Sequence, residues 1–183
     1  MQRSDCLPRS GPQVILRKLR VDDLRAFQAY RHDPEVNRLQ GWLPEPDQEA
    51  LEFLSRMGEA IPFIPGEWFQ IGIADKISDS LIGDLGVRVS EDEKTAEVGI
   101  SLGTPAQGRG LATEALSLII NLLFERTPIN AVGAITDQRN LPAIRLLERV
   151  GMVRGRSKKV EFRGYPCTEI SFELSRPIDD GRS

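Results

Sequence analysis

Cysteine and histidine are scarce in this sequence, and their scarcity excludes several kinds of chemistry. The 183 residues include two cysteines, Cys6 and Cys167, and one histidine, His32. Two distant cysteines form neither a disulfide framework nor a C-x-x-C pair, and a single histidine is too few for an ordinary zinc site. A Ser-His-Asp or Cys-His hydrolase would have to use His32, which instead reads as an exposed residue at a helix end. We therefore expect no metal.

Long apolar runs are also missing, and so is a strong excess of either charge. The opening MQRSDCLPRSGPQ has no apolar segment typical of a secretory signal, and no stretch approaches the roughly 20 apolar residues of a membrane span. With 24 basic and 27 acidic residues the formal net charge is -3. This balance argues against nucleic acid as the main partner and suits a cationic substrate. We expect a cytoplasmic protein without membrane or nucleic-acid partners.

The hydrophobic residues that are present follow two periodicities. Residues 68–75, 80–90 and 94–103 alternate between apolar and polar, with short turns between them, which predicts an antiparallel meander. Residues 111–127 and 141–152 instead place apolar side chains at helical spacing. Strands and helices therefore both contribute to the fold.

The whole chain reads as one mixed α/β (α+β) domain. The order of predicted elements is β-α-α-β-β-β-α-β-α-β-β, without a repeat or an obvious linker. Residues 13–176 make up the domain, and residues 1–12 and 177–183, which are polar and rich in Gly, Pro and charge, are predicted to be flexible tails.

The stretch QGRGLATE, residues 107–114, stands where a strand gives way to the longest helix. Glycines allow close approach of the backbone, and the first N–H groups of a helix attract an anion, so the turn is typical of a phosphate site. It is neither a P-loop nor a complete Rossmann fingerprint, because Thr113 stands at the third glycine position. Local physics leaves a phosphate site and a plain capped turn both open.

Two segments together resemble a known family. Residues 107–112, QGRGLA, match the Gln/Arg-x-x-Gly-x-Gly/Ala signature of the GNAT superfamily of acetyl-CoA-dependent N-acetyltransferases. One strand downstream, residues 137–152, DQRNLPAIRLLERVGM, resemble the family's Asn-x-x-Ser/Ala helix, with Met152 in place of Phe. The opening and closing patterns resemble the branch of ribosomal-protein N-acetyltransferases. The likeness covers about residues 13–175 and implies a mostly antiparallel central sheet flanked by helices.

The resemblance implies a binding site for acetyl-CoA. The strand end would separate from its neighbour and receive the pantetheine amides and the thioester carbonyl, and Asn140 would contact the pantetheine arm. The strand-end residues are Ser101, Leu102 and Gly103, and those implied to line the pyrophosphate are Gln107, Gly108, Arg109, Gly110, Leu111, Ala112 and Thr113. Leu102 N–H is the candidate donor to the oxyanion.

Direct attack of an amine on the thioester, which the resemblance implies, requires a base. Glu97 is the first candidate, since relatives use a carboxylate on this strand and period two puts Glu97 on one face with Gly99 and Ser101. The alternative is that Glu97 lies on a solvated face or pairs with Arg88. Asp84 on the preceding strand is the second candidate and could instead bind the amine.

The general acid has no matching residue. Relatives carry a Tyr where this chain has Leu147, or a Ser where it has Ala143. Tyr165 and Cys167 are alternatives, and a thiolate with a pKa near 8.5 could also leave unassisted. The general acid is left unassigned.

The acceptor is expected to bind at the two tryptophans. Trp42 and Trp68 each have an acidic neighbour, Glu45 and Glu67 respectively, and aromatic faces with carboxylates suit a cationic amine. Glu67 is also a third candidate base, and the alternative is that each indole fills the edge of the core.

Three functions stay open at this point: acetylation of peptide N-termini, acetylation of small amines such as aminoglycosides, and non-catalytic acyl-CoA binding. The look-alikes also leave open a homodimer through an edge strand.

Overall fold

The computed structural model describes residues 6–177 of the chain. The strands are β1 (Arg9–Ser10), β2 (Val14–Lys18), β3 (Trp68–Asp75), β4 (Leu81–Val89), β5 (Thr95–Leu102), β6 (Ala131–Asp137), β7 (Val153–Phe162) and β8 (Tyr165–Ser175). The helices are α1 (Leu24–Arg31), α2 (Pro34–Asn37), α3 (Asp47–Glu59), α4 (Leu111–Arg126) and α5 (Leu141–Arg149).

All eight strands form one sheet in the order β1-β2-β3-β4-β5-β6-β8-β7. Every neighbouring pair is antiparallel except β5 and β6, which run parallel. Between these two strands, α4 carries the chain back to the end of the sheet at which β5 begins. The predicted fold class, a mixed and mostly antiparallel sheet flanked by helices, is confirmed.

The two parallel strands separate soon after they meet. β5 and β6 pair at Thr95 with Ala131, at Ala96 with Val132 and at Glu97 with Gly133, and no later pair joins them in the described chain. Beyond Glu97 the strands diverge, which opens a wedge between the carboxyl-terminal halves of β5 and β6. This wedge positions the site described below.

The helices cover the two faces of the sheet unequally. Leu85 and Val87 of β4 belong to the large core cluster that includes the buried side of α4. Asp84 points to the other face, where α1 and α3 pack in a smaller cluster around Phe27 and Leu54. The residues of β4 thus alternate between an apolar core and a face that carries polar groups.

The predicted N-terminal tail differs from the structure. Cys6 is buried in the large core cluster, and Arg9–Ser10 pairs with Leu16 and Ile15 of β2. The Glu114 carboxylate accepts hydrogen bonds from the N–H groups of Gln13 (2.8 Å) and Val14 (3.0 Å), which fixes the chain that follows β1. The prediction of a flexible tail, which was based on polar composition, is therefore wrong for the described residues 6–12. β1 adds one strand to the predicted order.

One helix is also additional. Asp33 caps the single-turn α2 by accepting from Glu35 N–H at 2.9 Å, and Pro34 begins the helix. His32 lies exposed at the end of α1. The predicted tail 177–183 lies outside the described residues except for Pro177.

Within residues 6–177, no helix is long and apolar enough to cross a membrane. The same residues contain no group of three or more His, Cys, Asp or Glu side chains able to hold a metal ion.

Candidate functional site

The wedge between β5 and β6 is the mouth of a cleft of about 630 Å³. Residues from Glu97 to Ser101 form one wall, and the end of β6 with the start of α5 forms the other. A volume of this size suits a small-molecule or cofactor group. We call this space the cleft.

Two residues of the diverging β5 direct their backbone groups toward the side that β6 has left. Gly103 N–H donates to Ile82 of the β4 side at 2.9 Å. In an antiparallel strand the backbone N–H and C=O groups of alternate residues point to opposite neighbouring strands. The backbone groups of Ser101 therefore also point to β4, whereas those of Ile100 and Leu102 point to the side that β6 has left. The Leu102 carbonyl accordingly accepts from the Gln107 amide at 2.9 Å. Leu102 N–H thus points to the wedge, which is the direction that a donor to the oxyanion needs. Ile100, which was not among the predicted residues, has its backbone groups in the same direction. The N–H of Gly103, a predicted residue, is already bonded to Ile82.

The glycine turn has the backbone geometry of an anion site. Gly108 and Gly110 have positive φ angles of 72° and 79°, and a Cβ on either would meet nothing within 4 Å. Both positions therefore favour glycine because of their positive φ angles and not because a neighbouring atom would clash with a side chain. Gly110 is the N-cap of α4 and offers no capping side chain, so the N–H groups of Leu111, Ala112 and Thr113 have no intrahelical partner. The open turn therefore fits a pyrophosphate, with Arg109 exposed beside it.

Asn140 links the other wall of the cleft to α5. Its Oδ1 accepts from Ala143 N–H at 3.2 Å, so the side chain caps the helix while it lines the cleft. Ala143 and Leu147, the positions where the family carries hydroxyl groups, also line the cleft. The missing hydroxyls would therefore have pointed to this space.

Comparison with known proteins agrees with this geometry. Residues 13–153 match the family model described as the acetyltransferase (GNAT) domain. The chain belongs to the GNAT acetyltransferase family. It is an acetyl-CoA-dependent N-acetyltransferase, and the resemblance inferred from its two motifs is confirmed.

Three similar proteins illustrate the range of the family. N-acetyltransferase p20 of Bacillus licheniformis is 28% identical over 152 residues, which is 80% of this chain and 85% of the relative. The structure of a GNAT acetyltransferase from Bacillus anthracis has a TM-score of 0.81 at 17% identity, covering 92% of this chain and 98% of that one. RimL, a ribosomal L7/L12 α-N-protein acetyltransferase in complex with coenzyme A, has a TM-score of 0.76 at 14% identity, covering 90% and 95%. The two structural likenesses concern the fold.

The two candidate bases of this acetyltransferase lie on one face of the sheet but in different surroundings. Glu97 is exposed at the last residue pair before the wedge, and it lines the cleft. Among residues 6–177 its carboxylate has no hydrogen bond or ion pair, and Arg88, which faces it across the strands, donates instead to the Gly66 carbonyl at 3.0 Å. The Glu97 carboxylate is therefore available to a ligand.

Asp84 is 1% exposed, and both of its carboxylate oxygens are already occupied. One accepts from the Tyr30 hydroxyl at 2.5 Å and from the Arg31 guanidinium at 2.7 Å, and the other accepts from the Gln70 amide at 2.9 Å. Burial and then the Asp84 charge raise the pKa of Tyr30 well above its ordinary value, so the phenol keeps its proton and stays a donor. These three donors leave one acceptor position on Oδ1, so an amine has much less access to this carboxylate than to that of Glu97.

The two tryptophans also differ in how accessible they are to a ligand: Trp42 already has an internal partner, and Trp68 is more exposed. The Arg31 guanidinium lies 4.0 Å from the centre of the Trp42 ring, so one face of that indole is already used by an internal cation. Trp68 is 49% exposed and lines the cleft with Trp42. Glu67, although next to Trp68 in sequence, is not among the residues that line the cleft.

Of the two candidate acids, the structure brings only Cys167 into the cleft, while Tyr165 is 72% exposed outside it. Desolvation raises the pKa of the Cys167 thiol, and the carboxylates of Asp137 and Glu169 raise it further. The thiol therefore stays protonated near neutral pH.

Proposed function

We propose that this acetyltransferase moves an acetyl group directly to a positively charged primary amine and that Glu97 accepts the proton of that amine. The observation that carries the proposal is the free carboxylate of Glu97 at the point where β5 leaves β6. A base must reach the proton of the acceptor from an open position, and Asp84 is held by three donors.

The charges along the cleft favour a cationic acceptor. The acidic residues that line it are Asp84, Glu97, Asp137 and Glu169, and no Lys, Arg or His of the described chain lines it with them. Asp84 and Asp137 are paired with arginines outside the cleft, at 2.7 Å and 2.6 Å. Glu97 and Glu169 have no such partner among the described residues, so two uncompensated carboxylates face the acceptor.

Three groups of the chain have separate roles in this reaction: cofactor binding, proton acceptance and stabilisation of the oxyanion. The N–H groups at the start of α4 hold the pyrophosphate, and acetyl-CoA, when bound, supplies the acetyl group as a thioester. Glu97 takes a proton from the ammonium, which leaves a nucleophilic amine. Leu102 N–H, directed into the wedge, donates to the oxygen on which negative charge develops.

A covalent enzyme intermediate is not part of this proposal. The thiol nearest to such a role is Cys167, and its raised pKa keeps it protonated and therefore a poor nucleophile. For the same reason the thiol could return a proton to the departing sulfur, although a thiolate with a pKa of about 8.5 can also leave without help.

The nature of the acceptor is tested by a panel of amines. We expect coenzyme A release with acetyl-CoA and cationic primary amines, and none with the same compounds after their amines are blocked. Peptides with a free N-terminus and aminoglycosides or polyamines are compared at equal concentration. Preference for peptides supports a protein N-terminal acetyltransferase, and preference for small polycations supports the alternative. Turnover of neither, with intact acetyl-CoA binding, would contradict the proposed function.

The cofactor turn is tested by Gly110→Trp. Any L-residue is strained at a φ of 79°, and the indole would project into the open space that the pyrophosphate needs. Losing two charge-assisted hydrogen bonds should weaken acetyl-CoA binding by about 100-fold or more. Calorimetric titration measures the Kd.

Gly164→Trp is the matched control. Gly164 also has a φ of 79°, and a Cβ added to it would likewise meet no atom within 4 Å, but it lies in the β7–β8 turn. Equal binding by both variants and the unmodified protein would mean that QGRGLATE is only a capped turn.

Three further predictions stay predictions. The domain ends at residue 176, the protein is cytoplasmic, and it forms a homodimer through a sheet edge, for which β7 is the long exposed edge strand.

A further inference from the structure

The turn between β7 and β8 meets the segment after α2 across the cleft. We call residues 37–42 the strap. From the turn, Arg163 Nη2 donates to three main-chain carbonyls of the strap: Asn37 at 3.2 Å, Gln40 at 3.0 Å and Trp42 at 2.8 Å. Strap and turn are more than 120 residues apart in sequence, so one guanidinium joins two distant parts of the chain.

The strap lies against the cleft along most of its length. Its residues 39–42 line the cleft, and so does Phe162, which precedes Arg163. Inside the cleft, the Gln40 amide approaches the Ile100 carbonyl at 3.5 Å, at the free side of β5. The strap therefore spans the cleft from α2 to the β7–β8 turn.

The strap is also held from beneath. The Arg31 guanidinium stacks on Trp42 at 4.0 Å and is itself bonded to Asp84, on the sheet face that carries Glu97. Trp42 thus has an arginine under its ring and a second arginine on its carbonyl. The contact with Arg163 joins the strap to the β7–β8 turn, whereas Arg31, at the end of α1, and Ile100, on β5, hold the strap from the other side.

We propose that Arg163 determines which acceptors this enzyme accepts, by closing the strap over the acceptor side of the cleft. The inference rests on the proposed function, in which the amine approaches Glu97. A closed strap admits a slim chain that ends in a primary amine and excludes branched or bulky groups next to that amine. Arg163 acts through the strap and is a positioning residue, since it does not line the cleft itself.

The test compares Arg163→Ala with Arg163→Lys and with a matched control. Arg176 makes the same kind of contact, donating to the carbonyls of Phe124, Ile129 and Thr127 at 2.5 to 2.8 Å, but these groups do not line the cleft. Arg176→Ala therefore removes one guanidinium from three carbonyls without touching the strap.

The first readout is acceptor selectivity, measured with the best amine of the panel and with an analogue branched beside its amine. For Arg163→Ala we expect the ratio of kcat/KM, branched over unbranched, to rise by about 10-fold. KM for the unbranched amine should rise while the Kd of acetyl-CoA is unchanged. Arg163→Lys should restore part of the selectivity. An unchanged ratio, or the same change in Arg176→Ala, would overturn the proposal.

The second readout does not depend on turnover. In a Trp68→Phe background Trp42 is the only tryptophan, and its quenching by acrylamide reports whether the strap is closed. We expect stronger quenching in Arg163→Ala and no change in Arg176→Ala. Unchanged quenching in both would refute the closed strap even if no amine were turned over, whereas increased quenching without turnover would refute only the proposed function.

Discussion

Replacing Glu97 with glutamine should lower kcat by about 100- to 10,000-fold, the range typical of losing a general base. Glutamine keeps the size and shape of the side chain but accepts no proton near neutral pH. Glu97 is exposed and lacks a bonded partner among the described residues, so the substitution leaves no buried group unsatisfied. The Kd of acetyl-CoA should stay within about 2-fold, because a rim charge contributes little to binding at a distance. Steady-state kinetics and calorimetry measure the two effects separately.

A matched control is Glu173→Gln. Glu173 lies in the row Glu97, Gly133, Glu173 that crosses β5, β6 and β8, and it is also exposed, but it does not line the cleft. It should retain nearly full activity. If Glu97→Gln kept its kcat, and Asp84→Asn lost it while still binding acetyl-CoA with the usual Kd, the base would be Asp84, and the exposed carboxylate would serve only to attract the amine.

The meander and the long helix could be predicted because their periodicities are long and unbroken. Period-two alternation runs through β3, β4 and β5, and α4 carries apolar residues at every turn. β1 and α2 escaped prediction because two and four residues are too few to show a period. Their order depends on remote groups such as the Glu114 carboxylate, which binds the chain near β1 from about 100 residues away.

The glycine turn and the start of α4 could be predicted from the sequence, since a glycine turn before a helix is a local feature. The direction of the β5 N–H groups was not, because it depends on which neighbour bonds to odd or even residues. The surroundings of Asp84 were also hidden. Its partners Tyr30 and Arg31 lie 54 and 53 residues earlier, and nothing local distinguishes Asp84 from an accessible base. Arg163 carried no signal beyond a charged residue before a glycine.

The buried pair of Asp84 and Arg31 yields the largest expected change in stability. Asp84→Ala should reduce the free energy of unfolding by about 3–5 kcal/mol, because removal of one partner leaves the other charge buried without compensation. Arg31 is 7% exposed, and its Nε already lacks a hydrogen-bond partner among the described residues. The Asp84 carboxylate is therefore the group that compensates its buried positive charge. The Tyr30 hydroxyl and the Gln70 amide would lose their acceptor as well. Urea unfolding measures the effect.

Two comparisons separate this charge effect from a simple loss of packing. Glu125→Ala breaks the pair with Arg9, whose side chains are 46% and 35% exposed, and should change the free energy of unfolding by at most about 1 kcal/mol. Adding Arg31→Met to Asp84→Ala removes the stranded charge and should recover part of the lost stability, since the two sites are in contact and their effects are not additive. A double variant less stable than Asp84→Ala would mean that stacking of Arg31 between Phe27 and Trp42, at 4.5 Å and 4.0 Å, matters more than the ion pair.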